Sequence, residues 1–387
     1  MKKLVIAVVA IAALALAFGA NAEEKYVAGG FEASGHINAG LGFDYIGTNS
    51  GALAGGSSGL LRDQWSNAKN YDKAKDFGFL LDEVELDLTK SFGENIKFRT
   101  DLGFGDQAIG SIWGGVYVKQ AYVTANIPAG NGIEWLFGRF DAPIGYEAVD
   151  RNDNNTITHS AIYNFNIRPR YLTGMKFYYA FNDSVDWHVW FANNMSDGRI
   201  NWNGDNKVMP AIGTRLGYTW GEEAKESTVG LSAAISPEVN AGSKLGRMSF
   251  LVDVDFNIWA TDAFVIGGEA LYRQNDAAKG TTSTKIFGGI LDLNYAFSDV
   301  WDGTLKYSIL RPNNGGGTSD ALLSTMAPVA NALVVAKGYI QEISVSPAYQ
   351  ITDGAKFRAE YKLDWTKYSG FSKNLTHTVL GMFEYAF

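Results

Sequence analysis

The sequence has no cysteine, and only 8 prolines and 4 histidines among 387 residues. Without cysteine there can be no disulfide framework, no zinc finger and no thiol nucleophile. Charge is sparse at 19% of residues, and basic charge is scarcer still. Lys and Arg number 33 against 41 Asp and Glu, a formal net charge of −8 that speaks against nucleic acid as a partner. Beyond the amino terminus no stretch reaches about 18 uninterrupted apolar residues, so no membrane-spanning helix is expected there. A mean hydropathy of −0.09 agrees. Glycine, in contrast, is abundant at 44 residues, above the usual share of about 7%. Hydrophobic residues make up 46% of the chain, too many for a disordered one.

The first residues read as a targeting segment. Lys2 and Lys3 supply a basic start, Leu4 to Phe18 an apolar run, and Gly19-Ala20-Asn21-Ala22 the small residues that signal peptidase requires. Cleavage after Ala22 makes residues 1–22 a signal peptide and removes two lysines, leaving 23–387 with a formal charge of −10.

The remaining chain alternates with period two. From Phe31 to Tyr45, Phe31, Ala33, Ile37, Ala39, Leu41, Phe43 and Tyr45 fall on one face, and Glu32, Ser34, His36, Asn38 and Asp44 on the other. Strands of soluble sandwiches average about five or six residues, whereas this segment has fifteen. The stretch near 356–365 is decisive. Lys356, Arg358, Glu360, Lys362 and Asp364 share one face, and Phe357, Ala359, Tyr361, Leu363 and Trp365 the other. Five charges in succession cannot line a dry core, because each unpaired buried charge costs several kcal/mol, and five apolar partners cannot all face water. Lipid outside and a polar lumen inside reconcile the two faces.

Segments of this kind predict strands near 31–46, 77–90, 95–105, 116–127, 133–140, 168–181, 185–194 and 208–220, then 228–236, 246–260, 264–274, 285–297, 301–311, 336–351, 356–366 and 374–387. The fold class is therefore all-β: one transmembrane antiparallel β-barrel of about sixteen strands over residues 23–387. Short connections rich in Gly, Pro, Asn, Asp and Ser, such as Pro128-Ala129-Gly130-Asn131, alternate with long polar loops at 47–76, 141–167 and 312–335. Short turns on the periplasmic side and long extracellular loops are the expected asymmetry of such a barrel in the cell outer membrane. Outer-membrane lipid is then a partner of the apolar face. The chain ends on Phe387, and this final strand resembles the signal read by the outer-membrane barrel assembly machinery, a second expected partner.

The run Gly138-Arg139-Phe140-Asp141-Ala142-Pro143-Ile144-Gly145-Tyr146-Glu147, preceded by Val118-Lys119-Gln120-Ala121-Tyr122-Val123, resembles the corresponding stretch of the OmpL-like beta-barrel porins. The likeness is local, over about 115–195, with barrel pattern and terminal Phe elsewhere. It implies a diffusion porin, a water-filled pore for ions and small polar solutes with no cofactor. In porins generally the third outer loop folds into the lumen and sets the constriction. Here that loop, 141–167, carries Asp141, Glu147, Asp150 and Asp153. Residues predicted to line the pore are the acids Glu83, Glu85, Asp87, Asp253 and Asp255 and the bases Lys97, Arg99, Arg168, Arg170, Lys356 and Arg358. Opposed acids and bases create a transverse field that favours hydrated polar solutes, and the charge of the chain favours a weak cation preference.

A barrel enzyme would need a catalytic constellation, yet the histidines at 36, 159, 188 and 377 include no nucleophile–base arrangement, and Ser160 beside His159 is not one. A substrate-specific channel for sugars, peptides or phosphate is a second alternative, with Trp190 and Trp259 on predicted lumen positions. A structural or adhesive barrel with a closed lumen is a third. The run Asp150-Arg151-Asn152-Asp153-Asn154-Asn155 lacks the Gly and the final acid of a calcium loop, so no metal site is expected there. Sixteen-stranded porins are commonly trimeric, which makes a homotrimer the expectation by analogy of fold.

Overall fold

The computed structural model describes residues 26–28, 30–46, 75–104, 116–195, 210–238, 247–275, 283–314, 338–368 and 374–387. The signal peptide with Ala22, loop 47–74 and residues 315–337 lie outside these. A short strand β1 (Tyr26–Ala28) pairs with the start of the first long one. The wall then runs β2 (Phe31–Ile46), β3 (Lys75–Phe92), β4 (Ile96–Phe104), β5 (Tyr117–Ile127), β6 (Ile133–Asp141), β7 (Tyr171–Ala180), β8 (Val185–Ala192) and β9 (Ala211–Trp220). It continues β10 (Ser227–Glu238), β11 (Arg247–Thr261), β12 (Phe264–Asn275), β13 (Thr284–Ala296), β14 (Trp301–Asn314), β15 (Gly338–Thr352), β16 (Ala355–Tyr368) and β17 (Asn374–Ala386). Each strand pairs antiparallel with the next, and β17 pairs with β2, so sixteen long strands close a barrel with no free edge. The seam is completed at the last residue: Phe387 and Gly35 exchange backbone hydrogen bonds, each of 3.0 Å.

Alternation sends the apolar face outward. Phe79, Phe137, Phe287 and Val345 are all exposed there, Phe79 to 80%, a surface that only lipid or another apolar wall can cover. The strands predicted from sequence are all present, including the short-patterned pair β5 and β6. Boundaries shift by up to three residues, and two shifts bear on the site: the strand expected from 168 begins at Tyr171, so Arg168 and Arg170 belong to the loop before it, and Asp141, expected in the loop, is the last residue of β6.

Besides register shifts beside two short turns, at Trp259/Thr261 and Gln350/Thr352, two β-bulges near the third loop break the period. On β3, Asn38 pairs with Glu83 and Ala39 with Leu81, leaving Asp82 unmatched. On β5, Asp101 pairs with Gln120 and Leu102 with Val118, leaving Lys119 unmatched. A bulge places two neighbouring side chains on the same face. Asp82 with Glu83, and Lys119 with Gln120, are accordingly all buried. Each bulge adds one charge to the lumen without moving an apolar residue off the lipid face.

The lumen also holds a buried apolar cluster. Inward positions Leu271, Ile290, Leu310 and Ile340 pack with Ile144, Ile162, Phe165 and Ile167 of the loop between β6 and β7. The core of this protein is thus an interface between wall and loop inside the barrel.

Candidate pore constriction

The loop of residues 142–170, the third long connection, enters through the motif singled out above, and the structure gives each motif residue a physical task. Gly138 has φ +142°, and a Cβ there would run into the backbone of Ala121 and Tyr122 on β5. Arg139 donates from Nε to the carbonyls of Val118 and Lys119, at 3.1 and 3.0 Å, satisfying acceptors beside the bulge, and stacks over Tyr171. Phe140 and Ile144 enter the inner apolar cluster. Gly145, at φ +88°, leaves room for the Arg168 side chain. Substituting Ala for Gly138 therefore strains both backbone and packing. Gly138→Ala is expected to lower the yield of folded barrel, checked by the heat-modifiable gel shift of refolded protein, while Ala→Gly at Ala125 leaves it unchanged.

Glu147 organises the loop on itself. It accepts from the Ser160 amide at 2.9 Å and hydroxyl at 2.6 Å, and from Lys306 Nζ of β14 at 2.8 Å. Ser160 caps a single helical turn, Ala161–Asn164, whose Ile162 is fully buried. Wall carboxylates meet loop amides. Thr158 N–H donates to Glu360 at 2.9 Å, Ala161 N–H to Glu342 at 2.7 Å and Tyr146 N–H to Glu269 at 2.9 Å. Wall cations meet loop carbonyls. Lys306 donates to Thr158 at 2.6 Å, Arg273 to Ile167 at 2.8 Å, and Arg358 to Arg151 at 2.9 Å and to Asn154. A loop crossing a lumen leaves backbone groups that must be paired, and the charged wall supplies the partners.

The bulges serve the same end. Asp82 pairs with Arg151 of the loop at 2.7 Å. Lys119 reaches Glu83 at 2.8 Å and also contacts Glu85 and the loop residue Asp150.

The predicted residues fall into two groups. Glu83, Glu85, Glu147, Asp150, Arg168 and Arg358 come together as partners of the loop or of its anchors. Arg168 pairs with Glu269 at 3.2 Å and Arg358 with Glu384. Lys356 lies 3.5 Å from Glu384, Asp255 2.7 Å from Arg215, and Arg170 sits over the Tyr163 ring. Asp87 and Arg99 form a separate group with Asp101, 2.8 Å from Arg99, and Lys97 is exposed near the short-turn end. Asp253 is fully buried. Sequence reasoning missed Lys119, Arg151, Arg215, Glu269, Lys306 and Glu342 as site residues. The first could have been found from the phase change in β5, where outward Val116 and Val118 give way to Ala121 and Val123.

Beside the first limb of the loop lies a cavity of about 290 Å³. Asp141, Glu147, Asp150 and Asp153 line it, with Arg168 and Arg215. The two arginines, Glu147 and Asp150 are all ion-paired, whereas Asp141 and Asp153 have no salt-bridge partner among the described residues. Burial and the nearby Asp150 push the Asp153 carboxyl above its ordinary pKa.

His159, stacked 3.7 Å from the Tyr163 ring, is buried among cations. Burial, then Arg151 and Lys306, hold its imidazole well below the ordinary value of 6.5. The docked loop thus keeps His159 neutral while a released loop takes up a proton, so this contribution is present above about pH 6.5 and lost as pH falls. Wild type is expected to lose stability relative to His159→Gln as the pH drops from 7 to 5, checked by thermal unfolding of the two proteins in parallel.

A closed sixteen-stranded barrel with a lipid-compatible outside, a charged inside and a loop held across the lumen defines an outer-membrane channel of the porin class. The sequence matches the family described as "Putative beta-barrel porin-2, OmpL-like" over residues 48–387, and the chain belongs to that family. The match extends well beyond the local run first noted. No curated protein matches the sequence. Among solved structures, the outer membrane channel DcaP of Acinetobacter baumannii is similar with TM-score 0.65 at 15% identity, over 94% of this chain and 99% of that one. OmpT of Vibrio cholerae is similar with TM-score 0.55 at 10% identity, over 94% and 100%. An anion-selective porin from Comamonas acidovorans is similar with TM-score 0.57 at 10% identity, over 92% and 99%. At such identities the likeness is one of fold.

Proposed function

We propose that the protein is a non-enzymatic diffusion channel for ions and small polar solutes, with a weak preference for cations. The observation that carries this reading is the charge balance around the cavity. Its cations are bound to carboxylates, and the residues left without an ionic partner, Asp141 and Asp153, are acids. An acidic narrow passage in a low-dielectric frame raises the local concentration of cations. Reversal potentials in planar bilayers under a salt gradient test it. Cation preference is expected, it should shrink in Asp141→Asn/Asp153→Asn, and clear anion preference overturns the reading.

The same proposal places the short turns in the periplasm and the protein in the outer membrane after removal of residues 1–22. Amino-terminal sequencing of mature protein is expected to begin at Glu23. A homotrimer is the expected assembly, and one solved form of Vibrio cholerae OmpT is itself described as a trimer. Light scattering in detergent distinguishes three chains from one.

A further inference from the structure

The outward faces of β12 to β17 carry no acid among the described residues, but they carry bases at one end. Lys285 on β13, Arg311 on β14 and Lys367 on β16 are exposed, and their chain neighbours Ile286, Leu310 and Thr366 are buried toward the lumen. All three stand at the long-loop end of their strands, and none has an ion-pair partner among the described residues. The register brings them together. Lys285 pairs with Asn313 and Phe287 with Arg311, so Lys285 and Arg311 are diagonal neighbours on one face, about 7–8 Å apart. Leu310 pairs with Ile340, so the next step sets Arg311 beside Tyr339, and Tyr339 pairs with Lys367. At about 4.8 Å per strand, Arg311 and Lys367 lie about 10 Å apart with Tyr339 between them. Toward the membrane the same wall is apolar, with Phe287, Leu305 and Val345 exposed. The short-turn ends of these strands expose Tyr295, Trp301, Tyr349 and Phe357 and no cation.

Three like charges held at one level repel one another, and an anion at that level relieves the repulsion. Lys and Arg lay their apolar stems along a hydrophobic wall and hold the charge at the headgroup level. A guanidinium takes phosphate oxygens in a two-pronged grip, and an ammonium adds a compact charge beside it. A free anion uses only the bases, whereas a lipid uses both the bases and the apolar wall beneath them. We propose that the outer rim of β13 to β16 is a docking surface for a lipid with phosphate groups on its headgroup. Lys285, Arg311 and Lys367 hold the phosphates, and the acyl chains lie on the wall at Phe287, Leu305 and Val345. The surface faces the outer leaflet in the orientation proposed above, with the long loops outside, and its function there rests on that orientation.

The test titrates full-length protein, refolded in neutral detergent without lipopolysaccharide, with bisphosphorylated lipid A and counts bound lipid by native mass spectrometry. Dephosphorylated lipid A and inorganic phosphate are the comparison ligands. Wild type is expected to retain the phosphorylated lipid in preference to the dephosphorylated one. Each base near an anionic headgroup is worth about fivefold, so Lys285→Gln/Arg311→Gln/Lys367→Gln should weaken binding by about a hundredfold. Lys367→Gln alone should weaken it by about fivefold and keeps the test decisive where the triple variant does not fold. Lys90→Gln should leave it unchanged, because Lys90 lies over the Phe31 and Phe92 rings at the short-turn end. Equal retention of the two lipids, displacement by inorganic phosphate at the lipid's own concentration, or variants that bind like wild type each overturn the proposal. Binding in detergent is independent of orientation. A wrong orientation shows instead as long loops protected from protease on intact cells.

Discussion

Replacing residues 149–165 with a short Gly-Ser linker is expected to raise unit conductance several-fold and to weaken ion preference. The segment removed carries the helical turn, Ile162, and Asp150 and Asp153, two of the four acids lining the cavity. The barrel should survive, because its ladder is untouched and ion pairs between its own strands remain. Lys362 stays 2.8 Å from Glu342 and Lys356 stays 3.5 Å from Glu384. Conductance is limited by the narrowest, most strongly charged section. Single-channel recording of the shortened protein decides the matter, and an unchanged unit conductance would show that the loop does not set the passage.

The largest effect of a single substitution is expected at Lys306. Its ammonium bridges Glu147 at 2.8 Å and the Thr158 carbonyl at 2.6 Å, and in this ion pair the two side chains are only 5% and 2% exposed. Lys306→Met leaves Glu147 charged and buried without its cation, for which breaking a buried pair costs about 3–5 kcal/mol. The cost falls on loop docking, since Glu147 also holds the Ser160 amide and hydroxyl. New protease cleavage within 148–166, noisier channels and a lower melting temperature are expected. Glu147→Gln combined with Lys306→Met should recover part of the loss, because a carboxamide is far less costly to bury than a carboxylate. Equal damage from the single and double variants would assign the effect to lost packing of the lysine stem.

The strand faces and the closure of the barrel were legible because they follow from local chemistry. Alternation across Phe31 to Tyr45 and Phe357 to Trp365 needs no knowledge of partners: a strand sends successive side chains to opposite sides, and lipid accepts one side only. The role of the charges was not legible. The run Lys356, Arg358, Glu360, Lys362 and Asp364 suggested a wet wall. In the structure its cations are paired with Glu342 and Glu384 of the neighbouring strands, and the run is bound to the third loop through Thr158, Arg151 and Asn154. Two signals in the chain pointed that way. Ile286-Phe287, Ile290-Leu291 and Ile309-Leu310 are apolar on both faces, as expected where an inner surface is also covered, and β3 changes phase between Leu81 and Val84, as a bulge requires.

The sequence by itself determined a sixteen-stranded barrel, its outward face and its order of short and long connections, because period, turn chemistry and hydrophobicity act over a few residues. Only the tertiary structure decided which charges meet. Lys306 and Glu147 are 159 positions apart, and Arg358 and Arg151 are 207 apart. Their encounter depends on barrel closure and on the path of the loop across the lumen. Buried ion pairs are chosen by distance and desolvation in three dimensions, and one sequence read alone carries neither.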